Sequence, residues 1–539
     1  MFKRKILLII TVFAVCFFSC KTGENTKTES FITIEGQKFV DQKGRQIVFN
    51  GINYISKNPS EKFIRGVEPE LFRDFKSWGF NCIRFGIIWA GLEPEPGKYN
   101  EEYLAEIDKR IQWAADNGIY VYLDLHQDLY GSKFSDGAPE WATLDEGLPH
   151  YTGAVWSDSY LISPAVQTAF DNFWKNTPAS DGVGIQDHYV NLWKHLAKRY
   201  SNNTTVIGYD IMNEPFMGTS ANEVMPLMLG AYAQVFAEET GQTPPSAEEL
   251  GAIWGDEKSR MEALGFISTK ERYSKVVDAV YELNAAFEKN ELQSMYQKAA
   301  YAIREVDKNH ILFLNHSYFA NTGVSSAIEP TKLADGTVDP LVAYAAHGYD
   351  LVVDTKEVDS PSYQRVEFIF DRINETGKRM NVPVLVGEWG AFHGKSLKMI
   401  ETAQQVVNLF ESHNFSNTYW SYYDEIINDP YFKTSIIRPF PELISGNLVS
   451  YDYNFETGDF TCSWDETAES AEPTVIYVPN LRNLSENDVI INPAAEQIVF
   501  EYFDKSNAGK LFISPTGKNA LRTLEFKLLP EKTEEFEIK

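Results

Sequence analysis

Cysteine is scarce, with four in 539 residues. Cys16 and Cys20 lie near the N-terminus, which leaves only Cys82 and Cys462 for the body of the chain, so a disulfide framework is excluded. Cys82 sits inside an apolar strand pattern and reads as a small core residue rather than a nucleophile. Positive charge is also short. Lys and Arg number 49 against 76 Asp and Glu, a formal charge of −27, and removal of Lys3, Arg4 and Lys5 with a leader would make it about −30. With no basic stripe to offset that excess, no nucleic-acid partner is expected. Internal repeats and low-complexity segments are absent too. Aromatic residues, by contrast, make up 14% of the chain, and their flat faces suit sugar rings or a lipid.

Met1-Phe2-Lys3-Arg4-Lys5 followed by the apolar run Ile6 to Phe18 has the form of an export signal, with an apolar stretch too short to remain as a membrane span. The run ends Ser19-Cys20 and turns at once to Lys21-Thr22-Gly23. That step resembles a bacterial lipoprotein signal in which Cys20 becomes the lipidated first residue, anchoring the mature protein to the membrane of the cell envelope; ordinary cleavage and secretion is the alternative. Residues 21–30 are polar and read as a flexible tether.

From residue 31 onward, eight β-rich runs alternate with amphipathic helical stretches: Ile47–Tyr54, Cys82–Ile88, Ile119–Leu125, Val206–Met212, Ile311–Asn315, Leu341–His347, Val382–Gly387 and Asn417–Tyr422. Tyr103, Ile107, Ile111 and Ala114 recur at helical spacing, and Asn117-Gly118 supplies a stop. The pattern predicts a (β/α)8 TIM barrel over 31–440, with its site at the C-terminal ends of the strands. Long segments after the third and fourth strands, 126–205 and 213–310, are expected to shape that site. Near residue 440 the pattern changes. Arg438-Pro439-Phe440-Pro441 breaks regularity, and short strand-like pieces at Thr474–Val478, Ile498–Phe503, Lys510–Ser514 and Leu524–Leu529 predict an all-β sandwich over 441–539.

The fourth run continues as Asn213-Glu214-Pro215 and the seventh as Gly387-Glu388-Trp389. Strands four and seven lie across a barrel mouth from each other, so the two carboxylates can face one glycosidic bond from opposite sides. Hydrolysis with retention needs such a pair at roughly 5 to 5.5 Å. The His126-x-Asp128 pattern could begin a metal site, but no third or fourth ligand appears at useful spacing, so neither a metal nor another cofactor is expected.

Asn50-Gly51-Ile52-Asn53 with Lys57, Trp78 to Phe85, Leu123 to Asp128, Tyr209 to Pro215 and Gly387 to Gly390 together resemble glycoside hydrolase family 5 of clan A. His126-Gln127-Asp128, and the 438–441 junction followed by Ser445-Gly446, are most like the endoglycoceramidase branch. The resemblance implies Glu214 as general acid/base and Glu388 as nucleophile. It makes Trp420 the floor on which a bound sugar stacks, and Lys57 and Trp174 contacts for outer sugars. Arg84 is expected to favour ionised Glu388 while forming a buried ion pair. Asn213 is expected to reach the sugar 2-hydroxyl, His126 and Asp128 to share sugar hydroxyls, and His347 and Tyr349 to orient Glu388. Met225 to Phe236 is unusually apolar for an insertion, and it reads either as part of a lipid groove or as a helix covering barrel surface. The substrate expected is a glycolipid. Two alternatives are a β-glucosidase or diglycosidase acting on steryl or other aglycones, and a surface glycan-binding lipoprotein without activity. Nothing in the sequence fixes the oligomeric state.

Overall fold

A computed structural model describes residues 31–528. The export segment with Cys20, the tether 21–30 and residues 529–539 lie outside the described residues. Among the described residues, no helix is long and apolar enough to cross a membrane.

Eight parallel strands close into a barrel: β4 (Asn50–Tyr54), β5 (Cys82–Ile88), β6 (Tyr120–His126), β7 (Val206–Asp210), β8 (Ile311–Leu314), β9 (Val342–Gly348), β10 (Val384–Trp389) and β11 (Ser416–Tyr419). Strands buried on both faces read as continuous apolar runs, which is why all eight fall within or beside the runs seen in the sequence. The helix Glu101–Asp116 follows the same logic. Asn100 caps it by accepting from the Tyr103 amide, Tyr103, Ile107, Ile111 and Ala114 form its buried face, and Gly118 leaves in the left-handed region at φ 69°.

Before the barrel come three short strands, β1 (Thr33–Glu35), β2 (Lys38–Val40) and β3 (Gln46–Ile47). After it come β12 (Phe440–Ile444), β13 (Asn447–Tyr453), β14 (Asp459–Glu466), β15 (Thr474–Val478), β16 (Ile490–Asn492), β17 (Ile498–Tyr502), β18 (Gly509–Ile513) and β19 (Ala520–Lys527). They form one seven-stranded antiparallel sheet, β1-β2-β3-β12-β15-β18-β17, and a second of four strands, β13-β14-β19-β16. Residues 33–47 therefore share a sheet with the C-terminal module, through Leu443 paired with Ile47, and Ile47 is not part of the first barrel strand.

That pairing also closes the barrel from below. Ile32, Phe39 and Ile47 form one buried cluster with Phe49, Cys82, Ile207, Ile311, Phe313 and Leu385, most of which stand at the starts of barrel strands. Each buried aromatic or aliphatic side chain of this plug contributes about 1.5–3 kcal/mol. Cys82 is fully buried there, with its thiol pKa pushed well above the ordinary range by burial, as suits a core residue. On the side of the barrel, Arg438 donates to Glu411 at 2.8 Å, and Glu411 also accepts from the Tyr453 amide at 2.9 Å. The helix Lys398–His413 is thus tied to both the junction and β13.

Candidate active site

The two carboxylates reach the mouth by different backbone devices. Glu214, four residues beyond the end of β7, has φ 43°, the left-handed region that costs a side-chain-bearing residue about 1–3 kcal/mol. It is held there because Gln127 donates to the carbonyls of Asn213 and Glu214 at 2.9 and 3.2 Å, while the Glu214 amide donates to Asn315 at 3.3 Å. Glu388 sits inside β10 after a register shift: Val386 pairs with Ala346 and Glu388 with His347, leaving Gly387 as a bulge. A Cβ at Gly387 would come within 3.1 Å of His347 Nε2, and Asn53 donates to the Gly387 carbonyl at 2.8 Å. Glycine permits the bulge, and the bulge turns Glu388 into the mouth.

One nitrogen of His347 and one oxygen each of Glu214 and Glu388 lie within 4.8 Å of one another, all three residues being buried. His347 Nδ1 is 2.9 Å from Glu214 Oε1 and 3.6 Å from Glu388 Oε2. His347, expected to orient Glu388, hydrogen-bonds Glu214 instead, because the end of β9 points its ring between the two acids. Tyr349 does donate to Glu388 Oε2, at 3.0 Å.

Arg84 is fully buried and surrounded by acceptors. It donates to Asp210 at 2.8 Å, Glu388 at 2.5 Å, Asn213 at 2.8 Å and Asn53 at 3.2 Å, and it lies 2.9 Å from Asp124. Burial opposes its charge, but Asp124, Asp210 and Glu388 outweigh that and hold its pKa well above normal. Asn213 spends its oxygen on Arg84 and one amide hydrogen on the Gln127 carbonyl at 3.0 Å, so one hydrogen is left for a sugar hydroxyl.

Burial, reinforced by Asp128, lifts the Glu214 pKa to about 8 against the opposing pull of His126, Arg84 and Lys57. Burial and Glu214 also raise Glu388, while Arg84 favours its ionised form. Burial lowers His347 to about 3, so its ring is neutral between the two acids.

A second polar cluster flanks the pair. His126 Nδ1 is 2.9 Å from Asp124, its Nε2 is 3.6 Å from Asp128, and its ring stacks on Trp420 at 5.2 Å. Burial and Lys57 oppose protonation of His126, but Asp124 and Asp128 hold its pKa at about 10. Lys57 is hydrogen-bonded to Asp128, lies 4.0 Å from Asp136 and stands 4.6 Å over the Trp420 ring. Asp136 is the third acidic or imidazole partner that the His-x-Asp spacing did not reveal: ligand-type atoms of His126, Asp128 and Asp136 lie within 4.8 Å of one another. The Lys57 ammonium supplies positive charge to this cluster.

The carboxylates open into a cleft of ≈ 170 Å³ whose walls include Lys57, Asp128, Tyr349 and Trp420. Trp156, Tyr318, Asn321 and Asp354 line it as well and were not singled out from the sequence; Trp156 donates to Asp354 at 2.8 Å across 198 residues of chain. Trp174 is not among the lining residues. It ends the helix Pro164–Trp174, donates to the Phe216 carbonyl at 2.8 Å and packs edge-on to Phe173 and Phe287.

Residues 40–425 match the cellulase (glycosyl hydrolase family 5) model, and 438–521 match the glycoside hydrolase family 5 C-terminal domain. The chain belongs to glycoside hydrolase family 5. Among curated relatives, an endoglycoceramidase from Cyanea nozakii is 29% identical over 242 residues, 40% of this chain and 47% of the relative. The chain thus spans about half the length of the curated relatives it matches. Endo-glycoceramidase II from Rhodococcus sp. superposes with a TM-score of 0.68 at 22% identity, over 93% of this chain and 100% of the other. Cryptococcus neoformans sterylglucosidase 1 gives 0.64 at 16% identity over 92% and 97%. At these identities the likeness is one of fold. Within the family 5 barrel, the strand ends that carry Glu214 and Glu388 frame a cleft suited to acid/base and nucleophilic chemistry on a glycoside.

Proposed function

We propose that this family 5 chain is an exported, lipid-anchored retaining β-glycosidase that cleaves the bond between a glycan and a hydrophobic aglycone, ceramide in particular. The observation that carries the aglycone assignment is an apolar groove of ≈ 210 Å³ that shares Ser157, Tyr318, Thr322 and Val353 with the carboxylate cleft. One wall is the helix Val224–Thr240, which turns Val224, Met225, Met228, Leu229 and Tyr232 toward it at helical spacing. The apolar run 225–236 thus lies on a groove leading from the chemistry, as an acyl or long-base chain requires. A polar cleft joined to an apolar groove fits a glycolipid better than a soluble oligosaccharide.

The proposed reaction is a double displacement. Glu214 gives its proton to the glycosidic oxygen as the anomeric C–O bond breaks and a Glu388 oxygen bonds the anomeric carbon. Glu214, now a carboxylate, then takes a proton from water, whose oxygen displaces Glu388 and restores the original configuration. The pKa of about 8 keeps Glu214 protonated for the first step, and Arg84 and Tyr349 stabilise Glu388 as the departing carboxylate of the second. Two buried carboxylates within reach of each other favour an enzyme over a glycan-binding protein.

A β-glucosidase acting on steryl glucosides is the second reading, since a sterol would also occupy an apolar groove. Mass spectrometry of products from gangliosides, glucosylceramide and steryl glucosides separates the two. Release of an intact oligosaccharide together with ceramide is expected; turnover restricted to steryl glucosides, or release of single terminal sugars from gangliosides, would overturn the ceramide assignment. The anchor rests on the Ser19-Cys20 step after a short apolar run. Cys20→Ala is expected to leave the precursor unprocessed or move the protein to the soluble fraction, and unchanged fractionation and migration would refute lipidation.

A further inference from the structure

Glu214 is held by a chain of hydrogen bonds that begins on a different strand from its own. After β8 the backbone runs through His316 and Ser317 into a short helix, Tyr318–Thr322. Both ends of this loop are pinned by Glu288, a fully buried carboxylate that accepts from the Ser317 amide at 2.9 Å, from the Ala327 amide, and from the Ser326 hydroxyl at 3.1 Å. Between the pins, Asn321 is 4% exposed and its Nδ2 donates to Glu214 Oε1 at 2.7 Å.

The other end of that amide meets the His316 ring. The Tyr344 hydroxyl lies 2.5 Å from His316 Nδ1, and His316 Nε2 lies 2.9 Å from Asn321 Oδ1. The His347 amide also donates to His316 Nε2, at 3.2 Å, so the ring ties the Asn321 loop to the end of β9, and Nδ2 of Asn321 is the end turned to Glu214. Burial lowers the His316 pKa to about 3, so this ring is neutral across the working pH range. Glu214 Oε1 therefore faces two nitrogens, Asn321 Nδ2 and His347 Nδ1 at 2.7 and 2.9 Å, whereas Oε2 takes no hydrogen bond among the described residues.

We propose that Asn321 is a positioning residue for Glu214, fixing the carboxyl rotamer and occupying Oε1 so that the transferable proton resides on Oε2, toward the leaving group. The inference rests on the acid/base reading of Glu214. Other charged groups acting on Glu214 are Asp128, His126, Arg84 and Lys57, with Glu388 beyond His347. The hydroxyls of Tyr160, Tyr318 and Tyr349 also lie near enough to feel its charge. None of these groups would be altered by a change at Asn321.

The test compares two glycosides of one sugar, an alkyl glycoside whose leaving group needs a proton and a dinitrophenyl glycoside whose leaving group does not. Asn321→Ala is expected to lower kcat/KM on the alkyl glycoside roughly 10- to 100-fold and on the dinitrophenyl glycoside less than about 3-fold. Loss of a donor that favours the carboxylate should also move the alkaline limb of kcat/KM upward by about half a pH unit or more. A purely structural role would lower both substrates equally and leave the limb in place, and that result would overturn the proposal. If Asn321→Ala does not fold, His316→Phe, which keeps Asn321 but removes the ring nitrogen that contacts its amide, is expected to give the same two changes at smaller size; equal losses with a fixed limb would again count against it. Glu214→Ala run alongside separates the two levels. Equal loss on both substrates there defeats the acid/base reading itself, whereas selective loss there with none for Asn321→Ala defeats only the positioning role.

Discussion

Arg84 and Glu388 meet at 2.5 Å inside the barrel mouth, and the same guanidinium also holds Asp124 and Asp210. One buried cation thus serves three carboxylates, only one of which faces substrate. That arrangement couples the stability of the barrel's centre to the ionisation of the group proposed as nucleophile.

Arg84→Gln should show both sides of the coupling. Leaving the carboxylates without their cation is expected to cost about 3–5 kcal/mol of stability, read from denaturant unfolding. Removing a positive charge raises a carboxylate pKa, so the acid limb of kcat/KM should move to higher pH as Glu388 becomes harder to ionise. An unmoved acid limb in a folded variant would show that Arg84 does not act on the nucleophile.

The raised pKa of Glu214 has a consequence for stability with a defined sign. Its ordinary value is 4.5 and its folded value about 8, so the folded state holds the proton more tightly than the unfolded chain. The resulting stabilisation is complete below about pH 4.5 and is lost as pH rises toward 8. Glu214→Gln cannot titrate, so its Tm relative to wild type should rise steadily over that window and level off above it. The wild-type alkaline limb of kcat/KM should fall in the same region. A Tm difference independent of pH would contradict the shifted pKa.

The groove can be tested apart from the chemistry. Leu229→Asp puts a charge on the groove wall away from both carboxylates. Hydrolysis of a glycosylceramide is expected to fall at least roughly 10- to 100-fold, since a lost apolar contact costs about 1–3 kcal/mol and a charge on the groove wall adds to that. Hydrolysis of a nitrophenyl glycoside of the same sugar should stay within about 2-fold. Equal losses on both would place the helix Val224–Thr240 outside the aglycone path.

The barrel was legible because parallel strands covered on both faces must be apolar throughout, and polar residues at their ends, such as Glu214 and Glu388, stand out against them. Pairings that join distant parts of the chain left no such trace. Strands β1 to β3 are only two or three residues long, and the last pairs with residues nearly 400 positions later, so the N-terminal segment read as barrel rather than as part of the sandwich sheet. Asn321 lies in a helix of only five residues and Trp156 and Asp354 on loops, where neither period nor spacing applies, and they meet only once the strands are closed. Trp174 ends a helix in a cleft-forming segment and packs partly against Phe173 and Phe287, and a single sequence does not say which way such a side chain faces. His347 ends β9 between the two carboxylates, but which of them it bonds depends on the Gly387 bulge, a one-residue register shift invisible in the apolar pattern.

The measurement that bears most directly on the central claim is the configuration of the glycosyl azide formed when azide rescues Glu214→Ala on a dinitrophenyl β-glycoside. With Glu214 as acid/base and Glu388 as nucleophile, the glycosyl-enzyme on Glu388 still forms, and azide enters from the face vacated by the leaving group. The account predicts a β-glycosyl azide by NMR; an α-glycosyl azide from this variant would contradict it and exchange the roles of the two carboxylates.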